Sequence, residues 1–327
     1  MGKGTLCAQT GWEEFLEVLP VVLILCGVVS AVEGVAAPIP VILDTDLGDD
    51  IDDTWALAML LGSPQVDVQL IVTAYGDTPT KTRLAAKILE RMGRTDIPLG
   101  TGVKTNDKPI NQLEWLGDYS LSEYKGTVIE DGVGAMIDHI TRAPQPITLC
   151  VIGPQSNIKA ALERDPSIAK NARVVTMAGS VHIGYEGKQG RQPEWNVKAD
   201  VPAAQAVFAA PWEITMAPLD ICGTLRLRGE RYRAVTASKN PLAVVTIENY
   251  DKWTNRKHHP EDSSSVLFDT AATYFVFDES LAHIETIKLS IDKDGNTVPD
   301  ENGRPVRCGM SWTDRDAFED LLVDTLK

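Results

Sequence analysis

Six aspartates fall within ten positions, Asp44, Asp46, Asp49, Asp50, Asp52 and Asp53, in the run VILDTDLGDDIDDTWAL. Carboxylates packed this tightly repel one another unless a cation or hydrogen-bond donors compensate. Oxygen ligands with no Cys or His among them suit a hard divalent cation, and a large, flexible cage favours Ca²⁺ over Mg²⁺. Gly48 supplies the sharp turn such a loop needs. The plain alternative is a solvated acidic turn whose aspartates cap the helix that follows. That alternative accounts for any one of these residues better than for all six placed directly after an apolar strand.

Two other loop chemistries fit less well. A strand ending in DxD also opens the haloacid-dehalogenase phosphotransferases, but here Gly48 and further aspartates stand where those enzymes continue with Thr or Val. An EF-hand loop needs Glu at its twelfth position and a helix on each side. Counting from Asp44, the twelfth residue is Trp55, and a strand precedes the loop. The later run SIDKDGNTVPDENG also contains DxDG, yet Asp-Gly between alternating strand-like runs predicts a hairpin turn.

The elements that must hold the acidic loop alternate along the chain. Strand-like runs at Pro40–Leu43, Val66–Ala74, Ile147–Ile152, Ala172–Ala178 and Glu213–Ala217 are interleaved with helical patterns at Thr54–Leu61, Thr80–Met92, Ser156–Glu163 and Val201–Ala209. Gly93 is placed to end the second helix, and the tail GMSWTDRDAFEDLLVDTL predicts a last amphipathic helix capped near Thr313. This order predicts an α/β fold, one domain with an open, largely parallel sheet flanked by helices. Ligands of such sheets bind beyond the carboxyl ends of the strands, where the acidic loop falls.

Composition narrows the field. The chain has 327 residues, 31 Lys plus Arg against 46 Asp plus Glu, and a net charge of -15. So acidic a surface repels phosphate backbones, which argues against nucleic acid as a partner. The five cysteines form no CxxC pair, which argues against a zinc ribbon or a disulfide scaffold. Cys150 and Cys222 sit in apolar runs and read as buried thiols. Residues 1–37 stand apart: VLPVVLILCGVVSAV is short for a bilayer span and suits a signal-peptide core, with Val35-Ala36-Ala37 as a cleavage site. Its flank is poor in bases and holds Glu13, Glu14 and Glu17. Export to the periplasm or medium is the expectation, with an uncleaved anchor or an over-long start as alternatives. A membrane is a partner only in the anchored case.

From residue 38 onward the chain resembles the inosine-uridine type nucleoside hydrolases. DTDLGDDIDDTWAL is similar to their N-terminal DxDxGxDD loop, with extra residues before Asp52-Asp53. IVTAYGDT resembles the second-strand motif, ending Gly76-Asp77 in place of Gly-Asn. VIGPQSNIKAAL resembles Gly-Pro-Leu-Thr-Asn, with Gln155 and Ser156 for Leu and Thr. VVTMAGS, PEWNVKAD and SSVLFDTAA resemble the Met-Gly-Gly strand, the Glu-Phe-Asn segment and the late His-Asp segment. The resemblance implies a Rossmann-like nucleoside hydrolase fold, a Ca²⁺ ion that also binds water and the ribose diol, and hydrolysis of a small nucleoside. Homo-oligomerisation stays open.

Carried over position by position, the resemblance assigns the metal to Asp46, Asp53, Asp269 and the backbone oxygen of Ile152. Asp46 is also the implied general base, since a metal lowers the pKa of its water and a nearby carboxylate accepts the proton. Asp52, with Asp50 as an alternate, is implied as the acceptor of a ribose hydroxyl. Glu194 and Asn196 are implied sugar ligands, as i and i+2 on one side of an extended segment, with a packing role for Trp195 as the plainer reading. Asp77 replaces an Asn near sugar and metal. Phe268 stands where many members carry a proton-donating His; it can stack on a ring but donates nothing. A replacement donor is sought in Tyr250, His258 and His259 of NYDKWTNRKHHPE, or in His182. An ordinary helix end with an incidental His pair accounts for that segment equally well. A cell-envelope nucleoside- or ribose-binding protein with little turnover, or a hydrolase of another glycoside, are the competing functions.

Overall fold

Strand β1 (Ile39–Thr45) is buried along nearly its whole length, which is what a central parallel strand covered on both faces requires. In the computed structural model, which describes residues 1–2, 37–254 and 262–327, its side chains alternate between two cores. Val41 and Leu43 join one apolar cluster and Ile42 the other, as the period of two dictates. The unit from Ala37 to Lys327 is the one described below.

The strands are β1, β2 (Val66–Thr73), β3 (Leu99–Thr101), β4 (Val128–Ile129), β5 (Ile147–Val151), β6 (Ala172–Met177), β7 (Ile214–Ala217), β8 (Ala282–Ile291), β9 (Thr297–Pro299) and β10 (Arg304–Trp312). Among the described residues they form one sheet in the order β4-β3-β2-β1-β5-β6-β7-β10-β8-β9. Pairing is parallel from β4 through β7 to β10; only the β10-β8-β9 edge is antiparallel. β1 has β2 on one side and β5 on the other, so the order reverses there and leaves a crevice at the carboxyl ends of β1 and β5.

The helices are α1 (Asp52–Gly62), α2 (Thr78–Met92), α3 (Leu113–Leu116), α4 (Gly132–Arg142), α5 (Ser156–Arg164), α6 (Trp195–Lys198), α7 (Val201–Ala209), α8 (Leu219–Cys222), α9 (Gly229–Thr236), α10 (Pro241–Thr254), α11 (Phe268–Phe275) and α12 (Arg315–Leu326). Helices α1, α2, α10, α11 and α12 supply one core; α4, α5 and α7 cover the opposite face. The expected α/β architecture is what the chain adopts. Three local details matter. Helix α1 begins at Asp52, two residues earlier than the apolar pattern suggests, so Asp52 and Asp53 occupy its first turn. Helix α12 is capped by the Asp314 side chain, which accepts from Ala317 N, and not by Thr313. The DKDG run is the β8–β9 turn: Asp292 accepts the amides of Asp294 and Asn296, the expected hairpin. Cys150, Cys222 and Cys308 are buried free thiols. No helix among the described residues is long and apolar enough to cross a membrane, and the apolar run at 18–32 lies outside them.

Candidate active site

The six aspartates of the acidic loop do not act together. Asp44 ends the buried strand facing α5, where its Oδ2 accepts from Asn157 Nδ2 at 2.7 Å. Burial, only partly offset by that bond, raises its pKa to about 7. Asp49 pairs with Lys81 at 2.8 Å, and Asp50 accepts the Ile51 amide. That leaves Asp46, Asp52 and Asp53, all buried.

Asp269, at the start of α11, joins this remainder from the other end of the chain. Carboxylate oxygens of Asp52, Asp53 and Asp269 all lie within 4.8 Å of one another, and the Asp269 amide donates to Asp52 Oδ2 at 3.3 Å. Asp53 also accepts the Thr45 hydroxyl. Burial first, and repulsion from neighbouring aspartates, Asp46 among them in every case, second, push all three carboxyls well above the ordinary range. Among the described residues none of the three acids has a salt bridge, and Lys81 only partly offsets the burial of Asp53; such a group is stable as anions only with a positive charge among them, and an all-oxygen set fits a hard divalent ion. The resemblance assigns Asp52 to the sugar; here it belongs to the tightest acid group, while Asp46 lines the same cavity outside that group. Burial, moderated by Lys81, raises Asp46 to about 6.

The loop carrying these acids is held through its backbone. Lys81, buried on α2, donates to the Asp46 carbonyl at 2.7 Å. Asn111 and the Trp253 indole both donate to the Asp49 carbonyl, and Gln112 donates to that of Asp50. Gly48 has φ +113, the conformation expected of it. Gly153, after β5, lies so close that a Cβ there would sit 2.8 Å from the Asp46 nitrogen; this contact brings the β5 crossover against the acid loop, and Ile152 lines the same cavity.

The opposite wall comes from the β6–α6 connection. Glu194 caps α6: its carboxylate accepts the amides of Gly179 at 3.0 Å, Asn196 at 2.8 Å and Val197 at 3.3 Å. Burial outweighs these bonds and raises it to about 7. Asn196 Nδ2 donates to Ile152 O at 3.1 Å and Met177 O at 3.0 Å. The expected extended Glu-x-Asn clamp is therefore corrected: these residues are the cap and second residue of a helical turn, and both are anchored by backbone groups. Trp195 between them is half exposed at the rim and packs no core.

Asp46, Asp49, Asp50, Asp52, Asp53, Asp269, Ile152, Met177, Tyr185, Glu194, Trp195, Asn196 and Phe268 enclose a cavity of about 120 Å³. It opens beside a second cleft of about 410 Å³ lined by Tyr75, Asn106, Asn111, Trp195 and Trp253 among others. A larger cleft of about 790 Å³ lies at the amino ends of the strands, around Pro40, Pro98 and Ile147. It holds none of the clustered acids, and in parallel sheets chemistry belongs to the carboxyl ends.

Several anticipated contacts fall elsewhere. Asp77 lines the second cleft, its carboxylate held by Thr80 and Lys104. Tyr250 is corrected: it is 3% exposed in the core, and its hydroxyl accepts the Ser265 amide at 2.7 Å. An aromatic residue facing inward on α10 fills space between Trp55 and Tyr232 and does not reach the cavity. His182 is exposed and absent from the cavity wall. His258 and His259 lie outside the described residues. Sequence reasoning missed Lys81, Tyr185 and Asp220. Lys81 is camouflaged as a polar residue of an amphipathic helix. Asp220, whose carboxylate collects the amides of Val181, His182 and Ile183, carries no spacing signal.

Comparison with known proteins identifies the family. Residues 41–320 match the family described as inosine-uridine preferring nucleoside hydrolase. The pyrimidine-specific ribonucleoside hydrolase RihA of Salmonella arizonae is 30% identical over 319 residues, an alignment spanning 88% of this chain and 98% of that protein. Among solved structures, the plant nucleoside hydrolase PpNRh1 superposes with a TM-score of 0.76 at 24% identity, covering 88% of this chain and 99% of the other. The purine-preferring ribonucleoside hydrolase of Gardnerella vaginalis gives 0.72 at 22%, covering 88% and 98%. With its acid cluster at the carboxyl ends of the central strands and a family match over most of its length, the chain belongs to the inosine-uridine preferring nucleoside hydrolases.

Proposed function

We propose that this protein hydrolyses the N-ribosidic bond of ribonucleosides in a Ca²⁺-dependent reaction. The observation that carries the reading is the buried Asp52–Asp53–Asp269 group, enclosed with Asp46, Glu194 and Asn196 in one small cavity at the β1/β5 crevice. Asp52, Asp53 and Asp269 would hold the cation, with Asp46 and the Ile152 carbonyl beside them. A calcium ion there supplies Lewis acidity for a water molecule and a grip on the ribose diol. Asp46, a buried carboxylate beside that cation, is suited to accept the proton of the attacking water. Glu194 and Asn196, locked by their backbone partners, address the rest of the sugar without reorganising. The pyrimidine specificity named for RihA makes uridine and cytidine the first substrates to test.

Replacing the proton acceptor separates hydrolysis from mere binding, the reading that Phe268 in the cavity wall favours. Asp46→Asn should lower steady-state hydrolysis by at least about 10², the lower end of a general base's contribution. A wild-type protein that binds ribonucleosides but releases no base from any of them would establish the binding reading instead. We also propose that the protein is exported, on the strength of the apolar run before Ala37. N-terminal sequencing of protein from its native host should begin near Pro38; an intact Met1 on a cytoplasmic product excludes it.

A further inference from the structure

A nucleoside base leaves as an anion unless a donor meets the developing charge, so the cavity needs one directed outward from its wall. The clustered aspartates are anions once a cation is among them, Glu194 is occupied in accepting three backbone amides, and Phe268 has no polar atom. Both amide protons of Asn196 are committed to Ile152 O and Met177 O. Among the described residues two side-chain donors remain in the wall, the Trp195 indole and the Tyr185 hydroxyl. Trp195 stands half exposed at the rim, edge-on to Tyr75 with ring centroids 6.1 Å apart.

Tyr185 is held differently. Its hydroxyl oxygen accepts the Trp195 amide at 2.8 Å. A phenol has a single proton, and among the described residues that proton has no protein acceptor. The ring meets Phe268 edge to face, 6.0 Å between centroids at 81°, and both residues line the cavity. The connection that carries it is braced. Asp220 gathers three consecutive amides at 181–183, the Ser180 hydroxyl donates to Ile183 O at 2.8 Å, and Gln192 Oε1 accepts the Tyr185 amide at 3.0 Å.

We propose that Tyr185 donates its hydroxyl hydrogen bond to the departing base; this rests on the hydrolase reading above. As the bond between the anomeric carbon and nitrogen breaks, its electron pair stays on the base, and the phenol stabilises that charge without surrendering its proton. Water adds its oxygen to the anomeric carbon and its proton to Asp46. The proton released from Asp46 afterwards balances the one the free base takes from solvent. Accepting from Trp195 strengthens the phenol as a donor, because hydrogen bonds in a chain polarise one another. Tyr185 is thus a specificity-determining catalytic residue for poor leaving groups.

The test compares wild type and Tyr185→Phe on two substrates, uridine and p-nitrophenyl riboside, whose phenolate departs without help. Uridine turnover should fall by about 10², the scale for losing one donor to developing charge. p-Nitrophenyl riboside turnover should change by less than about threefold, a small difference in barrier, with calcium affinity and melting temperature preserved. An equal fall on both substrates assigns Tyr185 to the sugar or to loop structure and overturns the proposal. No fall on either overturns it as well. A wild-type enzyme that cleaves neither substrate overturns the hydrolase reading itself, an outcome distinct from both.

Discussion

Replacing Asp269 by Asn should make the cation-free protein more stable and the cation-loaded protein less so. Three carboxylates share a buried space within 4.8 Å. At an effective dielectric of about 20, each ionised pair at that separation costs about 3.5 kcal/mol. Protonation limits the penalty: holding a carboxyl of ordinary pKa near 3.9 neutral at pH 7 costs about 4 kcal/mol. The carboxamide introduced by Asp269→Asn needs no such proton, so the variant should gain roughly 2–4 kcal/mol in the presence of a chelator, the range left after imperfect packing of the amide. The sign of the pH dependence follows from the raised carboxyls. Between the unfolded and folded pKa values the native state holds more protons, so stability is fully present below pH about 4 and is lost as pH rises through the folded values. Each such group contributes a slope of up to about 1.4 kcal/mol per pH unit, and the variant should lack one of them. Saturating calcium reverses the order: at 100 times its dissociation constant it adds about 2.7 kcal/mol to the wild type and little to the variant. Urea unfolding at pH 5, 6, 7 and 8, with chelator and with calcium, measures all of this. A variant less stable than wild type in chelator at pH 7, or one that gains as much from calcium, refutes the reasoning.

Two further substitutions probe the frame around the site. Gln155 is fully buried, and neither amide atom has a partner among the described residues; Gln155→Leu should raise the unfolding free energy by about 1–3 kcal/mol, the desolvation cost removed, as read from urea denaturation. Lys81 is 1% exposed and its partner Asp49 36%; Lys81→Met should cost about 2–3 kcal/mol, below the 3–5 kcal/mol typical of a broken buried pair because water reaches Asp49, and calorimetry should show weaker calcium binding as the Asp46 carbonyl loses its donor. Unchanged calcium affinity with the expected loss of stability would confine Lys81 to a folding role.

What the sequence made legible was the frame. Runs such as VIL and LCV are apolar throughout because both faces of a parallel strand are buried, and the helices between them keep a 3.6-residue period, so element order could be read directly. The acidic loop was legible for a different reason: like charges placed after a buried strand demand compensation. Asp269 came only from resemblance, since one aspartate in SSVLFDTAA has no local anomaly. The division of labour within the loop was hidden. Asp44 turns to Asn157 and Asp49 to Lys81 because of strand alternation and a cation on a distant helix, and neither relation has a spacing in sequence. Tyr250 and Tyr185 mark the same limit. Both hydroxyls accept a backbone amide, yet Tyr250 does so in the core and Tyr185 in the cavity wall. Only the packing angle of their segments separates them.

The central claim is that clustered acids hold a calcium ion used to split ribonucleosides. Its most direct measurement is chromatographic quantification of free base and ribose from uridine, cytidine and inosine, with purified protein stripped by chelator and then titrated with calcium. The account predicts equimolar base and ribose, no release from the stripped protein, and recovery as calcium approaches one equivalent per chain. Release that ignores the chelator, or none from any ribonucleoside at saturating calcium, would contradict it.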